Sequence, residues 1–175
     1  MSEAVVQVDL VRLDAGLPVP ARARPGDAGA DLAASGDVTL APGERALVGT
    51  GVAVVLPEGY AAFVMPRSGL AVREGIGLLN SPGTVDAGYR GEIQVCLINH
   101  DPARTATIRR GDRVAQLVVQ RVEETEFRVL EGVDDLETLA TVAPSARGAG
   151  GFGSTGVAAP DGTPDRQPEG QGEQS

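Results

Sequence analysis

Lysine is missing altogether: the 15 basic side chains are all arginine, set against 24 acids, for a formal net charge of -9 over 175 residues. Without lysine there is no Walker A loop, no Schiff-base nitrogen and no lysine general base. One cysteine (Cys96) and one histidine (His100) exclude a structural Cys/His zinc site and any disulfide within the chain. Tryptophan is absent and aromatics make up only 3% of residues, which argues against a base-stacking sheet surface. The acidic balance argues against a sequence-independent nucleic-acid footprint. No apolar run approaches the ~20 residues that a bilayer span requires. The opening MSEAVVQVDLVRLDAG carries Glu3 and Asp9 where a signal peptide would have a basic region and an apolar stretch. The expectation is a cytoplasmic protein without a nucleic-acid or membrane partner.

What is present reads as a β protein. Short valine-rich runs start at Val5, Val38, Ala46, Tyr60, Ile76, Glu92, Ala106 and Val114, separated by Pro/Gly/Asp turns such as Ala41-Pro42-Gly43-Glu44 and Leu56-Pro57-Glu58-Gly59. Strands of this length and spacing predict a sandwich, jelly roll or barrel. Two short helices are expected, SGLAVRE from Ser68 and DDLETLA from Asp134. The last 19 residues, from Val157, hold four acids and one base with almost no apolar side chains, a composition unable to offset its ordering entropy. They are expected to form a disordered acidic tail.

Five polar or glycine-rich stretches interrupt this pattern. They are Pro25–Leu32, Pro66–Ala71, Asn80–Glu92, Gly111–Gln116 and Ser145–Gly156. In the second, an arginine fork, a hydroxyl and a glycine at a helix start suit an anion. The fifth is a glycine loop with Arg147 and hydroxyls, able to wrap backbone N–H groups around phosphates. Its Gly148-x-Gly150-x-x-Gly153 spacing matches the dinucleotide fingerprint, but no strand leads into it and no βαβ unit follows. The third reads as a hairpin, strand–Asp86-Ala87-Gly88-Tyr89–strand, whose tip carries a carboxylate and an aromatic ring.

Each piece taken alone has a plainer reading. Asp27-Ala28-Gly29 and Gly111-Asp112 are ordinary turn chemistry. Ser68 suits a helix N-cap, Tyr89 a core position, Cys96 a buried strand residue, and Arg147 a linker charge. His100 could complete a Ser-His-Asp triad, but no G-x-S-x-G elbow exists. The plainer readings fail because all five stretches occur together and in order.

In that order and spacing the chain resembles the trimeric dUTPase family (dUTP diphosphatases) over residues 4–156, with Asn80–Glu92 the most specific match. The resemblance implies an all-β distorted jelly roll (β-clip) with one or two short helices. It implies a homotrimer in which the C-terminal arm is swapped and each site is shared by all three chains. Residues 1–143 would form the β domain, 144–156 a glycine-rich arm closing a neighbour's site, and 157–175 the tail. The implied reaction is Mg²⁺-assisted hydrolysis of dUTP to dUMP and pyrophosphate, limiting uracil in DNA and supplying dUMP for thymidylate synthesis.

Carried over by motif, Asp86 would activate the water that attacks the α-phosphorus, with Gln116 near that phosphate. Tyr89 would pack on deoxyribose, and Asn80, Thr84, Val85 and Gln94 would read uracil and sugar. Arg67, Ser68 and Gly69 would bind the phosphate chain, and Asp31 would meet Mg²⁺ only through water. Arg147 would reach the γ-phosphate and Phe152 would stack on uracil, with Gly153 and Ser154 lining the same arm. The related dCTP deaminases use a glutamate in the strand after the third motif. Here Ile93–Ile98 holds no carboxylate, so a deaminase is disfavoured. A non-catalytic binding module would require Asp86 or the arm to be lost, and both are present.

Overall fold

The computed structural model describes residues 5–145. The chain divides into two compact units, residues 1–125 and 126–175. The arm residues Arg147, Phe152, Gly153 and Ser154 and the acidic tail lie outside the described residues.

The first unit is built of short antiparallel strands. They are β1 (Asp9–Arg12), β2 (Ala30–Ala33), β3 (Val38–Leu40), β4 (Arg45–Gly49), β5 (Val52–Val55), β6 (Tyr60–Pro66), β7 (Ile76–Leu78), β8 (Gly83–Val85), β9 (Gln94–Asn99), β10 (Ala106–Ile108) and β11 (Arg113–Arg121). One helix, α1 (Ser68–Glu74), follows β6 directly. The strands form a four-stranded sheet in the order β2-β11-β6-β8, a three-stranded sheet β4-β9-β7, and the pairs β1-β5 and β10-β3. This is a mostly-β, jelly-roll-like fold with short helices, as the sequence leads one to expect.

Alternation decides which face each strand buries. In β9, Val95, Leu97 and Asn99 point inward while their neighbours do not. β11 breaks the rule at Val114 and Ala115, which are both buried, because its register against β2 shifts between Arg113 and Ala115; such a bulge re-aims the side chains that follow it. The core gathers Leu32, Leu40, Ile76, Ile93, Val95, Leu97 and Val114, all fully buried. Asn99 is buried among them, and its amide nitrogen donates to the carbonyls of Leu40 (2.9 Å) and Arg104 (2.8 Å) while its oxygen accepts from the Asp101 N–H (2.9 Å). A buried amide persists only when its donors and acceptors are met in this way.

Four local readings, among them the plainer ones of Ser68 and Tyr89, do not hold in the structure. The Asn80–Glu92 stretch is not a hairpin with paired arms: β8 bonds to β6, whereas β9 bonds to β4 and β7. Both edges of β9 are already occupied, so the turn passes the chain from one sheet to another. Ser68 does not cap α1; Arg67 is the cap residue and provides no side-chain bond. Cys96 is only half-buried and Tyr89 is exposed.

The second unit, from 126, contains α2 (Leu136–Val142), whose cap Asp135 accepts from the Thr138 N–H at 2.7 Å. That bond and the Thr138 hydroxyl hold the Asp135 carboxyl below the ordinary carboxylate range. Among the described residues no helix is long and apolar enough to cross a membrane.

Candidate active site

The sheet order β2-β11-β6 brings three of the five stretches to one place. In the antiparallel ladders Gln116 on β11 lies opposite Asp31 on β2 and Met65 on β6, so cross-strand neighbours share one region of the sheet. The chain leaves β6 at Pro66, turns at Arg67 and enters α1 at Ser68. The result is an open cleft of about 340 Å³ lined by Asp27, Gly29, Asp31, Arg67, Ser68, Gly69, Arg113 and Gln116, among others.

Its electrostatics centre on Asp31. One carboxylate oxygen accepts from Arg67 Nε at 2.9 Å and the other from a terminal nitrogen of Arg113, also at 2.9 Å. Arg67 bonds as well to the Arg113 carbonyl at 3.1 Å. The two guanidiniums outnumber the carboxylate they share, Asp27 lies on the same lining, and the second terminal nitrogen of Arg67 has no protein partner among the described residues. The first N–H groups of a helix have no intrahelical acceptor, so the start of α1 adds donors beside these cations. Gln116 donates from its amide nitrogen to the Pro66 carbonyl at 3.0 Å, which fixes its carboxamide. Arginine forks and free backbone N–H groups are donors of the kind that bind phosphate oxygens.

The donor set also decides how a divalent metal fits. No cluster of three or more His, Cys, Asp or Glu side chains suited to a metal occurs among the described residues. Both oxygens of Asp31 carry a guanidinium, yet each keeps a lone pair for a water. Mg²⁺ keeps several waters and takes substrate phosphates as ligands. The donor set is compatible with a Mg²⁺ that brings its own waters and phosphate ligands, and Asp31 would meet such an ion through water.

A second cleft, of about 220 Å³, shares no residue with the first. It is lined by Val64, Asn80, Gly83, Thr84, Val85, Tyr89, Glu92, Ile93 and Gln94. Val64, Val85 and Ile93 are buried and form an apolar floor, and Asn80, Thr84 and Gln94 supply hydrogen-bonding groups. The loop that carries Tyr89 is held from both ends. The Tyr89 N–H bonds to the Asp86 carbonyl at 3.0 Å, and its hydroxyl donates to the Glu92 carbonyl at 2.9 Å. Glu92 itself accepts from the Gly51 N–H at 2.8 Å. Asp86 is exposed at the start of this turn and lines neither cleft.

A family model for dUTPase matches residues 16–156 of the chain. The chain belongs to the dUTPase family. It is 60% identical over 151 residues to a deoxyuridine 5'-triphosphate nucleotidohydrolase of Thermobifida fusca, covering 86% of this chain and 79% of that protein. It is 58% identical over 147 residues to the enzyme of the same name from Mycobacterium tuberculosis (strain ATCC 25177 / H37Ra), covering 84% and 93%. A Staphylococcus bacteriophage 80alpha dUTPase variant solved with dUpNHpp superposes with a TM-score of 0.72 at 26% identity, over 86% of this chain and 99% of that one. A variant dUTPase of phage phi11 of S. aureus, solved for its coordination of a structural Mg(II) ion, gives 0.67 at 27%, over 74% and 99%.

With the dUTPase family in view, the expected residues sort into two groups. Asp31, Arg67, Ser68, Gly69 and Gln116 come together in the first cleft, and Asn80, Thr84, Val85, Tyr89 and Gln94 in the second. Asp86 stands apart from both within one chain. Sequence reasoning gave no role to Arg113 or Glu92. Arg113 lies three residues before Gln116, and only the pairing of β11 with β2 reveals that it shares Asp31 with Arg67. Glu92 closes the third stretch, and its anchoring to Gly51 depends on the β4–β5 turn.

Proposed function

We propose that this dUTPase-family chain hydrolyses dUTP to dUMP and pyrophosphate as a homotrimer, each site combining the phosphate cleft of one chain with the nucleoside cleft of another. One observation carries the reading: a polar cleft that presents two arginines and a smaller, apolar-floored cleft with a hydrogen-bonding rim occur on the same chain without a shared residue. A nucleoside triphosphate needs both kinds of surface. A second copy supplies the missing half of each.

In this reading Asn80, Thr84 and Gln94 hydrogen-bond the uracil and sugar, and Tyr89 packs against the deoxyribose. Arg67, Ser68 and Gly69 hold the phosphate chain, with Arg113 keeping Asp31 and Arg67 in register. Mg²⁺ carried by the triphosphate would neutralise phosphate charge and meet Asp31 through water. Asp86 accepts a proton from a water as the water oxygen bonds to the α-phosphorus. The bond from that phosphorus to the bridging oxygen breaks and pyrophosphate leaves. Gln116 orients the α-phosphate. Phosphoryl chemistry depends on such positioning and charge neutralisation more than on covalent help. Arg147, Phe152, Gly153 and Ser154 close the site from the arm, Phe152 on the base and Arg147 on the γ-phosphate. The protein works in the cytoplasm.

The test is a nucleotide panel with Mg²⁺ and separate detection of pyrophosphate, orthophosphate and ammonia. Pyrophosphate from dUTP, with dCTP, dTTP and UTP largely spared, is expected; orthophosphate as first product or ammonia from dCTP would overturn the proposal. Asp86→Asn should keep nucleotide binding and lose roughly 10²-fold or more in kcat, as for a removed general base.

A further inference from the structure

The second cleft owes its shape to an absence. A Cβ built on Gly91 would lie 2.6 Å from the Tyr89 Cζ and closer still to its hydroxyl oxygen. The Gly91 backbone is not in the left-handed region, so the glycine is not required by its own conformation. What it permits is the ring folded over it, which a Cβ would push aside. The Tyr89 hydroxyl donates to the Glu92 carbonyl at 2.9 Å, so its polar end is engaged inside the loop, and the residue lines the second cleft. Glu92 is fixed in turn. Its carboxylate accepts from the Gly51 N–H at 2.8 Å, and a Cβ on Gly49 would come within 2.6 Å of the same oxygen.

We infer that Gly91 is a specificity-determining residue acting through Tyr89: its bare Cα lets the ring lie flat on the loop and present a carbon wall to the sugar. Against that wall a 2'-deoxy sugar fits, while a 2'-hydroxyl is desolvated with no partner, which costs binding in the transition state. This rests on the second cleft being the nucleoside site. A methyl group at position 91 would separate the Tyr89 hydroxyl from the Glu92 carbonyl and force the ring to swing. Tyr89 is 44% exposed, so the ring can move into solvent without unfolding its surroundings. The wall is then lost and the fold kept.

The experiment measures kcat/KM for dUTP and for UTP in the native protein, Gly91→Ala, Tyr89→Ala and the double variant, with Tm for each. Gly91→Ala should lower the dUTP/UTP ratio about 10-fold or more, chiefly through a rise in kcat/KM for UTP, at little cost in Tm. In the Tyr89→Ala background the same change should have almost no further effect, because the ring it acts through is gone. Tyr89→Phe keeps the ring but frees it from Glu92, and should lower the ratio by less. An unchanged ratio in Gly91→Ala, or an equal drop in both backgrounds, overturns the inference while leaving the nucleoside cleft in place. An unchanged ratio in Tyr89→Ala overturns the reading of the cleft and the inference with it. Should Gly91→Ala not fold, an unchanged ratio in Tyr89→Phe overturns the tether.

Discussion

Replacing Asp31 by asparagine removes one negative charge from between two guanidiniums and little else. Asp31 and Arg67 are each 22% exposed at the side chain, so their 2.9 Å bond is partly shielded from water. Arg113 is 55% exposed, and its bond to Asp31 is screened. A charge-assisted bond in the first setting contributes about 1–2 kcal/mol, and an exposed pair a few tenths at most. The asparagine oxygen still accepts from Arg67, but its NH₂ group faces the donors of Arg113. A net loss of about 1–2 kcal/mol follows, which for a unit of this size lowers Tm by roughly 5 °C. The cleft then holds two arginines against Asp27 alone, so pyrophosphate should raise Tm more in Asp31→Asn than in the native protein. Turnover should move the other way: with Arg67 held only by neutral acceptors and the Asp31 charge gone, kcat/KM for dUTP should fall about 10–100-fold. The assays are thermal denaturation at fixed protein concentration, with and without pyrophosphate, and steady-state pyrophosphate release. A variant with native Tm, a native response to pyrophosphate and native turnover would refute the reasoning.

Asn99→Leu should cost about 3 kcal/mol, because it orphans the buried Leu40 carbonyl and breaks the half-buried bonds to the Arg104 carbonyl and the Asp101 N–H; a loss under about 1 kcal/mol in urea denaturation would contradict the bonding described. Asp101 accepts from the N–H groups of Ala103 and Arg104 and then from the Arg104 guanidinium, which together bring its pKa from 3.8 down to about 2. Its folded-state pKa lies below the unfolded one, so its contribution is full above about pH 4 and is lost as pH falls toward 2. Asp101→Asn should therefore flatten stability against pH in that window, and an unchanged slope would show that another carboxylate dominates. Phe152→Trp should retain turnover and, in a chain without native tryptophan, change its emission when a non-hydrolysable dUTP analogue binds; an active variant with constant emission would refute stacking of Phe152 on the base.

Much of the fold was legible because the pattern was local. YAAFVMP from Tyr60 is β6 residue for residue, and SGLAVRE from Ser68 is α1. The turns with proline and glycine delimit β3, β4, β5 and β6 where expected. β2 was not legible as a strand, since it is four residues long and is made a strand by its neighbour β11, and β8 was legible as a strand but not as a partner of β6. For the same reason the third stretch read as a hairpin: nothing in Gly83–Glu92 announces that its arms belong to different sheets. The site was legible as a set of stretches but not as a geometry. That Arg67 and Arg113, 46 positions apart in sequence, share one carboxylate depends on a strand order that the chain does not follow consecutively. The contact of Gly91 with Tyr89 depends on a ring orientation, which no spacing encodes.

The central claim is that the phosphate cleft and the nucleoside loop of one site come from different chains. Two variants test it, Asp86→Asn, which damages the loop, and Arg67→Gln, which damages the cleft. Each alone should be nearly inactive. When the two are mixed in equal amounts, unfolded and refolded together, any site that takes its loop from an Arg67→Gln chain and its cleft from an Asp86→Asn chain is intact. Random assembly of a symmetric oligomer makes about one site in four intact, so about a quarter of native pyrophosphate release should return. If each chain carries its own complete site, every site in the mixture holds one lesion, and no activity above that of the separate variants will be recovered.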